Sequence, residues 1–142
     1  MNVVNVVSVV APVVAGLVYI AVVSVVPEPA RQKVNAVVLA GAGAAYIGGG
    51  SVGLWELAFT TVVTFCAYRG LTTYAWLGVG WLLHTAWDVV HHLRGDPIIP
   101  ELQHSSFGCA ICDPVIAVWM FLGAPSIYRF RSAAGRSSGV LK

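Results

Sequence analysis

The sequence predicts an all-α integral membrane bundle of about five transmembrane helices, and three observations carry that prediction. First, 58% of its 142 residues are hydrophobic and 10% are charged, where a soluble domain carries about 25% charged residues. The mean hydropathy is +0.80. Second, the apolar runs are continuous over roughly 20 residues, the length at which a helix crosses the hydrocarbon core. A membrane β-barrel needs instead about ten residues of alternating polarity per strand. Third, breaks such as Pro27-Glu28-Pro29 and the stretch with Pro97 and Pro100 separate runs. Val pairs such as Val3-Val4 and Val6-Val7 favour strands in water. In lipid a helix satisfies its own backbone within one segment, so helices win.

Taken in order, the first predicted helix spans about Val3 to Val26 and stops at Pro27-Glu28-Pro29. No basic residue precedes it, so it reads as a retained anchor rather than a secretory signal. The second spans about Val34 to Gly50 and is rich in small residues. Gly41 and Ala45, and Ala44 and Gly48, are four apart, a spacing that lets helix backbones approach closely in a membrane. Packing within one chain is the first expectation there, and a homo-oligomer through this helix is the second. The third helix spans about Val52 to Tyr68 and the fourth about Leu71 to His92. A loop over about Leu93 to Ile111 follows, then a short fifth helix from about Pro114 to Tyr128, which Pro125 bends or ends. Residues 1–128 thus form one transmembrane domain. The basic Ser/Gly-rich tail from Arg129 to Lys142 reads as disordered. The chain carries neither a phosphate-binding glycine motif nor a nucleic-acid module, so lipid is the expected surroundings and nucleic acid is not an expected partner.

Cytoplasmic loops carry an excess of Lys and Arg. With five crossings, Arg31, Lys33, Arg69, Arg129, Arg131, Arg136 and Lys142 share one side, and Arg94 alone lies on the other. The expected location is the plasma (inner) membrane, with the N-terminus outside and the C-terminus in the cytoplasm. Glu56, His104 and the His/Asp-rich end of the fourth helix then gather at the outer face.

The strongest chemical signal is His84-Thr-Ala-Trp-Asp88-Val-Val-His91-His92. At 3.6 residues per turn, Asp88, His91 and His92 lie at roughly 40°, −20° and 80° from His84, so all four share an arc of about 100°. Ionisable groups in a membrane helix are costly in lipid and face a polar interior. Imidazole and carboxylate together suit a divalent transition metal, zinc or iron first among them. The candidate ligands are His84, Asp88, His91, His92 and His104. At 1.5 Å rise per residue, His84 and His92 are about 12 Å apart, so one ion cannot take all four from this helix. Glu56, the lone acid of the third helix, and Asp113 are the candidate general bases. Each also has a plainer reading. Glu56 sits beside the interface residue Trp55, and Asp113-Pro114 fits an N-cap followed by a first-turn proline. A hydrogen-bonded His/Asp network locking helices together is the structural alternative to a metal, and a proton relay is the other.

The second signal is Gly108-Cys109-Ala110-Ile111-Cys112-Asp113. Cys109 and Cys112 at this spacing before a helix form a redox pair or half a soft-metal site, and an outer location favours a disulfide. Cys66 reads as a packing residue.

The stretch from His84 to Asp113, with Ala124-Pro125 after it, resembles an uncharacterised family of small bacterial and fungal integral membrane proteins. That resemblance implies a membrane fold and no particular activity. More loosely, Asp88-Val-Val-His91-His92 looks like one histidine box of the membrane fatty-acid hydroxylases and desaturases, with an Asp in place of its first histidine. Those enzymes hold a di-iron centre with more histidines than the four present here. The cysteine pair is faintly similar to that of quinone-linked membrane thiol oxidoreductases, without their second pair. The leading expectation is a metal-dependent enzyme acting on a lipid or other apolar substrate at the outer face. The alternatives are a non-enzymatic metal or haem carrier, a subunit stabilising a larger complex, and a thiol/quinone redox protein using Cys109 and Cys112.

Overall fold

The computed structural model describes residues 6–47, 50–99 and 101–128. Among these the chain is all-α, with five helices and no strand: α1 (Val6–Val23), α2 (Ala30–Gly43), α3 (Leu54–Gly70), α4 (Tyr74–Arg94) and α5 (Ser105–Phe121). The expected start of the first helix at Val3, Gly48 of the small-residue pattern, and the basic tail lie outside the described residues.

The helices alternate in direction, and side-chain contacts between their ends show it. At one face, Tyr74 at the start of α4 donates to Glu28 in the α1–α2 turn (2.6 Å), and Gln32 near the start of α2 donates to the Gly70 carbonyl ending α3 (2.8 Å). Ser126 beyond α5 donates to the Ser24 carbonyl just after α1 (2.9 Å). At the opposite face, the Ser51 amide before α3 donates to Asp96 just after α4 (2.7 Å). Helix α5 packs on α4 and α1, while α2 and α3 pack on each other and on α4. The apolar core runs between them through Leu39, Val63, Leu77, Ile116 and Met120.

Two helices differ from the sequence expectation. Helix α2 begins at Ala30, with the Arg31 amide bonded to the Pro27 carbonyl (3.0 Å), and ends at Gly43 rather than Gly50. Residues 44–47 continue as turns with i→i−3 bonds, from the Ala44 amide to the Gly41 carbonyl (3.1 Å), Ala45 to Ala42 (3.0 Å) and Ile47 to Ala44 (3.1 Å). Helix α5 begins at Ser105, nine residues before the expected Pro114, and ends at Phe121. Pro114 therefore lies inside the helix, where its ring nitrogen can donate no hydrogen bond to Ala110. Asp113 is consequently not a helix cap, and Cys109 and Cys112 stand within α5 rather than ahead of it.

On α2, Gly43 is buried while Gly41, Ala44 and Ala45 are exposed. A Cβ at Gly41 would meet nothing within 4 Å, so the described residues of this small-residue stripe make no close helix approach inside the chain. The close approach occurs instead at Gly43, where a Cβ would strike Val63 of α3, and at Gly80 of α4, where it would strike Leu39 and Cys66.

The buried set is unusual in its chemistry. Arg31, Asn35, Glu56, His84, Asp88, His91 and Asp113 are all buried. Large apolar side chains such as Val10, Leu17, Val18, Leu54, Trp55 and Leu93 face outward. Among the described residues one helix, α1, is long and apolar enough to cross a membrane on its own, and only 17% of it is buried.

Candidate metal centre

Among the described residues, two groups of side chains could hold a metal ion, the buried His84–Asp88–Asp113 and the partly buried Glu56–His91–Asp96. Their positions follow from helix geometry. His84, Asp88 and His91 point inward from α4 at i, i+4 and i+7, which is one face of a helix. Helix α5 packs along that face and brings in Asp113; α3 brings in Glu56.

In the first group, His84 Nδ1 lies 2.8 Å from Asp113 Oδ2 and 3.0 Å from Asp88 Oδ2. Its Nε2 lies 3.0 Å from the Ala42 carbonyl oxygen in the last turn of α2. A carbonyl only accepts, so Nε2 carries the proton. In the neutral ring, Nδ1 then presents its lone pair to two carboxylate oxygens. Three acceptors facing one another in a dry interior require positive charge between them. Asp88 Oδ1 accepts from the Tyr46 hydroxyl (2.7 Å), whose oxygen lies 2.9 Å from Ser106 Oγ. Asp88 is fully buried, and His84 and Asp113 are 2% and 4% exposed.

In the second group, His91 Nδ1 lies 2.8 Å from Asp96 Oδ2 and its Nε2 lies 3.2 Å from Glu56 Oε1. Glu56 is held at both oxygens: Trp87 Nε1 donates to Oε2 (3.0 Å) and the Val52 amide to Oε1 (3.3 Å). Gly50 lets the chain pass over that carboxylate, since a Cβ there would collide with it. Asp96 is placed by the way α4 ends. Gly95 takes the left-handed conformation (φ 69°). The Gly95 amide then bonds to the His92 carbonyl (3.1 Å) and the Asp96 amide to the His91 carbonyl (3.0 Å). This paired closure folds Asp96 back over the last turn, against His91. Burial alone would raise the Asp96 carboxyl, but hydrogen bonds from Ser51 and His91 outweigh it and hold the group below its ordinary range.

Tyr46 joins the two groups. Its hydroxyl serves Asp88, and its ring stacks on the His91 imidazole with centroids 3.7 Å apart.

The remaining candidates are placed elsewhere. His92 is half-buried, stands 5.0 Å from the Phe107 ring and 6.4 Å from the exposed His104, and joins neither group. Glu56 faces His91 rather than His84. Cys66, Cys109 and Cys112 are free thiols. Sequence reasoning missed Tyr46, Asp96, Ser106 and the Ala42 carbonyl. Asp96 had a local signal, because an acid directly after a helix-ending glycine falls back onto the helix; the other three depend on packing between distant segments.

The fold and these groups define the class first: among the described residues, an all-α protein of five helices that encloses clustered histidine and carboxylate side chains. The chain belongs to the family of unknown function DUF6010, which it matches over residues 7–126. No curated protein and no solved structure matches it.

Proposed function

We propose that this chain is an integral membrane protein, N-terminus outside, that holds one divalent transition metal ion on His84 Nδ1, Asp88 Oδ2 and Asp113 Oδ2. We further propose that it acts through the ion on a lipid or other apolar substrate. The observation that carries the reading is the Ala42 carbonyl, which fixes the proton on His84 Nε2 and leaves Nδ1 facing two carboxylate oxygens. Ligands about 2.1 Å from an ion and at 90–110° to one another are about 3.0–3.4 Å apart. The separations of 2.8 and 3.0 Å fit that spacing after a small opening. Ala42 and Tyr46 then do what outer groups do for metal ligands, fixing the histidine tautomer and orienting the carboxylate.

The outward apolar surface, the inward charged groups and the apolar α1 support the membrane reading. An apolar cavity of about 220 Å³ between α3 and α4 supports the substrate class. Phe59 and Trp87 line it, stacked with centroids 4.6 Å apart, and their rings separate it from His84 and Glu56. When bound, an ion of this kind supplies Lewis-acid chemistry or an acidified water. The chain's own part is to orient the ligands and exclude bulk water.

A second reading uses the same distances. His84 as an imidazolium between Asp88 and Asp113 also satisfies all three groups, as a structural lock with no ion. Elemental analysis of detergent-purified protein decides between them. Under the metal reading the wild type carries bound metal, and Asp113→Asn and His84→Ala lose it while still inserting. A metal-free wild type that stays so after loading with zinc, iron or manganese leaves the lock.

A further inference from the structure

The second group has an unanswered atom. His91 is fully buried, and its Nε2 has no hydrogen-bond partner. Its tautomer is set from the other side of the ring. Asp96 Oδ2 accepts the Ser51 amide hydrogen (2.7 Å) and lies 2.8 Å from His91 Nδ1. An oxygen already acting as acceptor in a carboxylate takes the Nδ1 proton as well, so neutral His91 turns a bare lone pair at Nε2 toward Glu56. Glu56 Oε1, 3.2 Å away, is itself an acceptor, from the Val52 amide. Two lone pairs thus meet in a buried place.

A proton on Nε2 would give an ion pair with Glu56 across the 3.2 Å gap but no hydrogen bond, because the oxygen lies off the N–H direction. A metal ion has a different geometry. With bonds of about 2.1 Å to each atom, it sits roughly 40° off the line joining them. An off-line acceptor is a poor partner for an N–H group and an ordinary neighbour for an imidazole–metal bond. Bonds of that length at a tetrahedral angle separate their two ligand atoms by about 3.4 Å, close to the distance found. Asp96 then takes the place of the carboxylate that receives the distal N–H of a metal-bound histidine. Trp87 holds the other oxygen of Glu56.

We propose that His91 Nε2 and Glu56 Oε1 are the protein ligands of a second divalent-cation site, oriented by Asp96 and separate from the His84 group. Its ligands come from α3 and α4, and its orienting groups from the two connections at one face of the bundle, so it lies nearer that face than His84 does. The remaining coordination positions belong to water or to an incoming ligand. The site does not depend on the His84 centre, since the two share no ligand.

Zinc titration of the purified full chain in detergent, with calorimetry for stoichiometry, tests this. The wild type should bind about two zinc ions, and Glu56→Gln and Asp113→Asn about one each. Asp96→Asn should keep the stoichiometry and weaken one site by about 10–100-fold. Circular dichroism and gel filtration check each variant for folding. Should Glu56→Gln not fold, Asp96→Asn, which touches neither Glu56 nor Trp87, carries the test alone, and an unchanged affinity there overturns the proposal. Wild-type stoichiometry retained by Glu56→Gln overturns it also. A single wild-type ion lost only in Asp113→Asn overturns this site and leaves the His84 centre standing. A single ion lost only in Glu56→Gln keeps this site and removes the other.

Discussion

At His84 the location of one proton organises the neighbourhood. Because the Ala42 carbonyl takes the Nε2 hydrogen, the other ring nitrogen is committed to the two aspartates. Tyr46 plays the matching part for Asp88, supplying the hydroxyl donor to a fully buried carboxylate. Tyr46→Phe keeps the ring that stacks on His91 and deletes the hydroxyl, with its bonds to Asp88 and Ser106. Hydrogen bonds to charged groups contribute about 1.5–3 kcal/mol, so the variant should unfold more readily by about that amount. Denaturant unfolding in mixed micelles measures it; an unchanged midpoint would show that Tyr46 does not support Asp88. At this scale the sequence disclosed half of each pairing. The spacing of His84, Asp88 and His91 put them on one helix face. It could not assign Asp113 to His84 and Glu56 to His91, because those pairings depend on how α5 and α3 settle against α4.

Among the helices, the number and order were readable from the apolar runs, and the ends were not. Proline and glycine mark where a helix is disfavoured, but their strength depends on what else holds the chain. Pro114 was read as the start of the fifth helix; it lies inside α5, where the packing of α5 on α4 and α1 maintains the helix through it. Gly50 was read as the end of the second helix, yet the α-helix ends at Gly43 and the chain goes on in turns. Gly95 acts as its sequence position suggests, closing α4 in the left-handed conformation. An L side chain there costs about 1–2 kcal/mol, so Gly95→Ala should destabilise the protein by that much. It should also loosen Asp96 from His91, visible as faster amide hydrogen exchange at Ser51, whose amide Asp96 accepts. Gly80→Ala tests helix packing instead. Its new methyl would press on Leu39 and Cys66, and overpacking of this kind costs about 1–3 kcal/mol.

For the molecule as a whole, the all-α class and the five helices were legible because continuous apolar runs bear on them directly. The two-group arrangement inside was not, since it is a property of the assembled bundle. One long-range link between helix ends carries a pH dependence. Burial would raise the Glu28 carboxyl, but the Tyr74 hydroxyl and the Arg31 guanidinium outweigh that and hold it below its ordinary range. Its folded pKa is therefore below its unfolded one. The stability it contributes is present above the unfolded value and is lost as pH falls through the folded value. Thermal unfolding followed across acidic pH should show that loss, and Glu28→Gln should flatten it. A variant with the same acid slope as the wild type would remove Glu28 as its source. The effect is small because Glu28 is exposed, although its partner Arg31 is buried.

Helix α2 has 14 residues, which makes it about 21 Å long, short of the roughly 30 Å of a hydrocarbon core. Its last carbonyls find partners on other helices: Thr60 of α3 donates to Gly43 (2.7 Å) and His84 of α4 to Ala42. Lipid offers no substitute for the Thr60 hydroxyl. The Ala42 carbonyl also accepts the Ala45 amide (3.0 Å), so Gly43 is the carbonyl that waits on a neighbouring helix. In a bilayer, α2 would be completed only when α3 is laid against it, which would make these two helices a hairpin that enters as a pair.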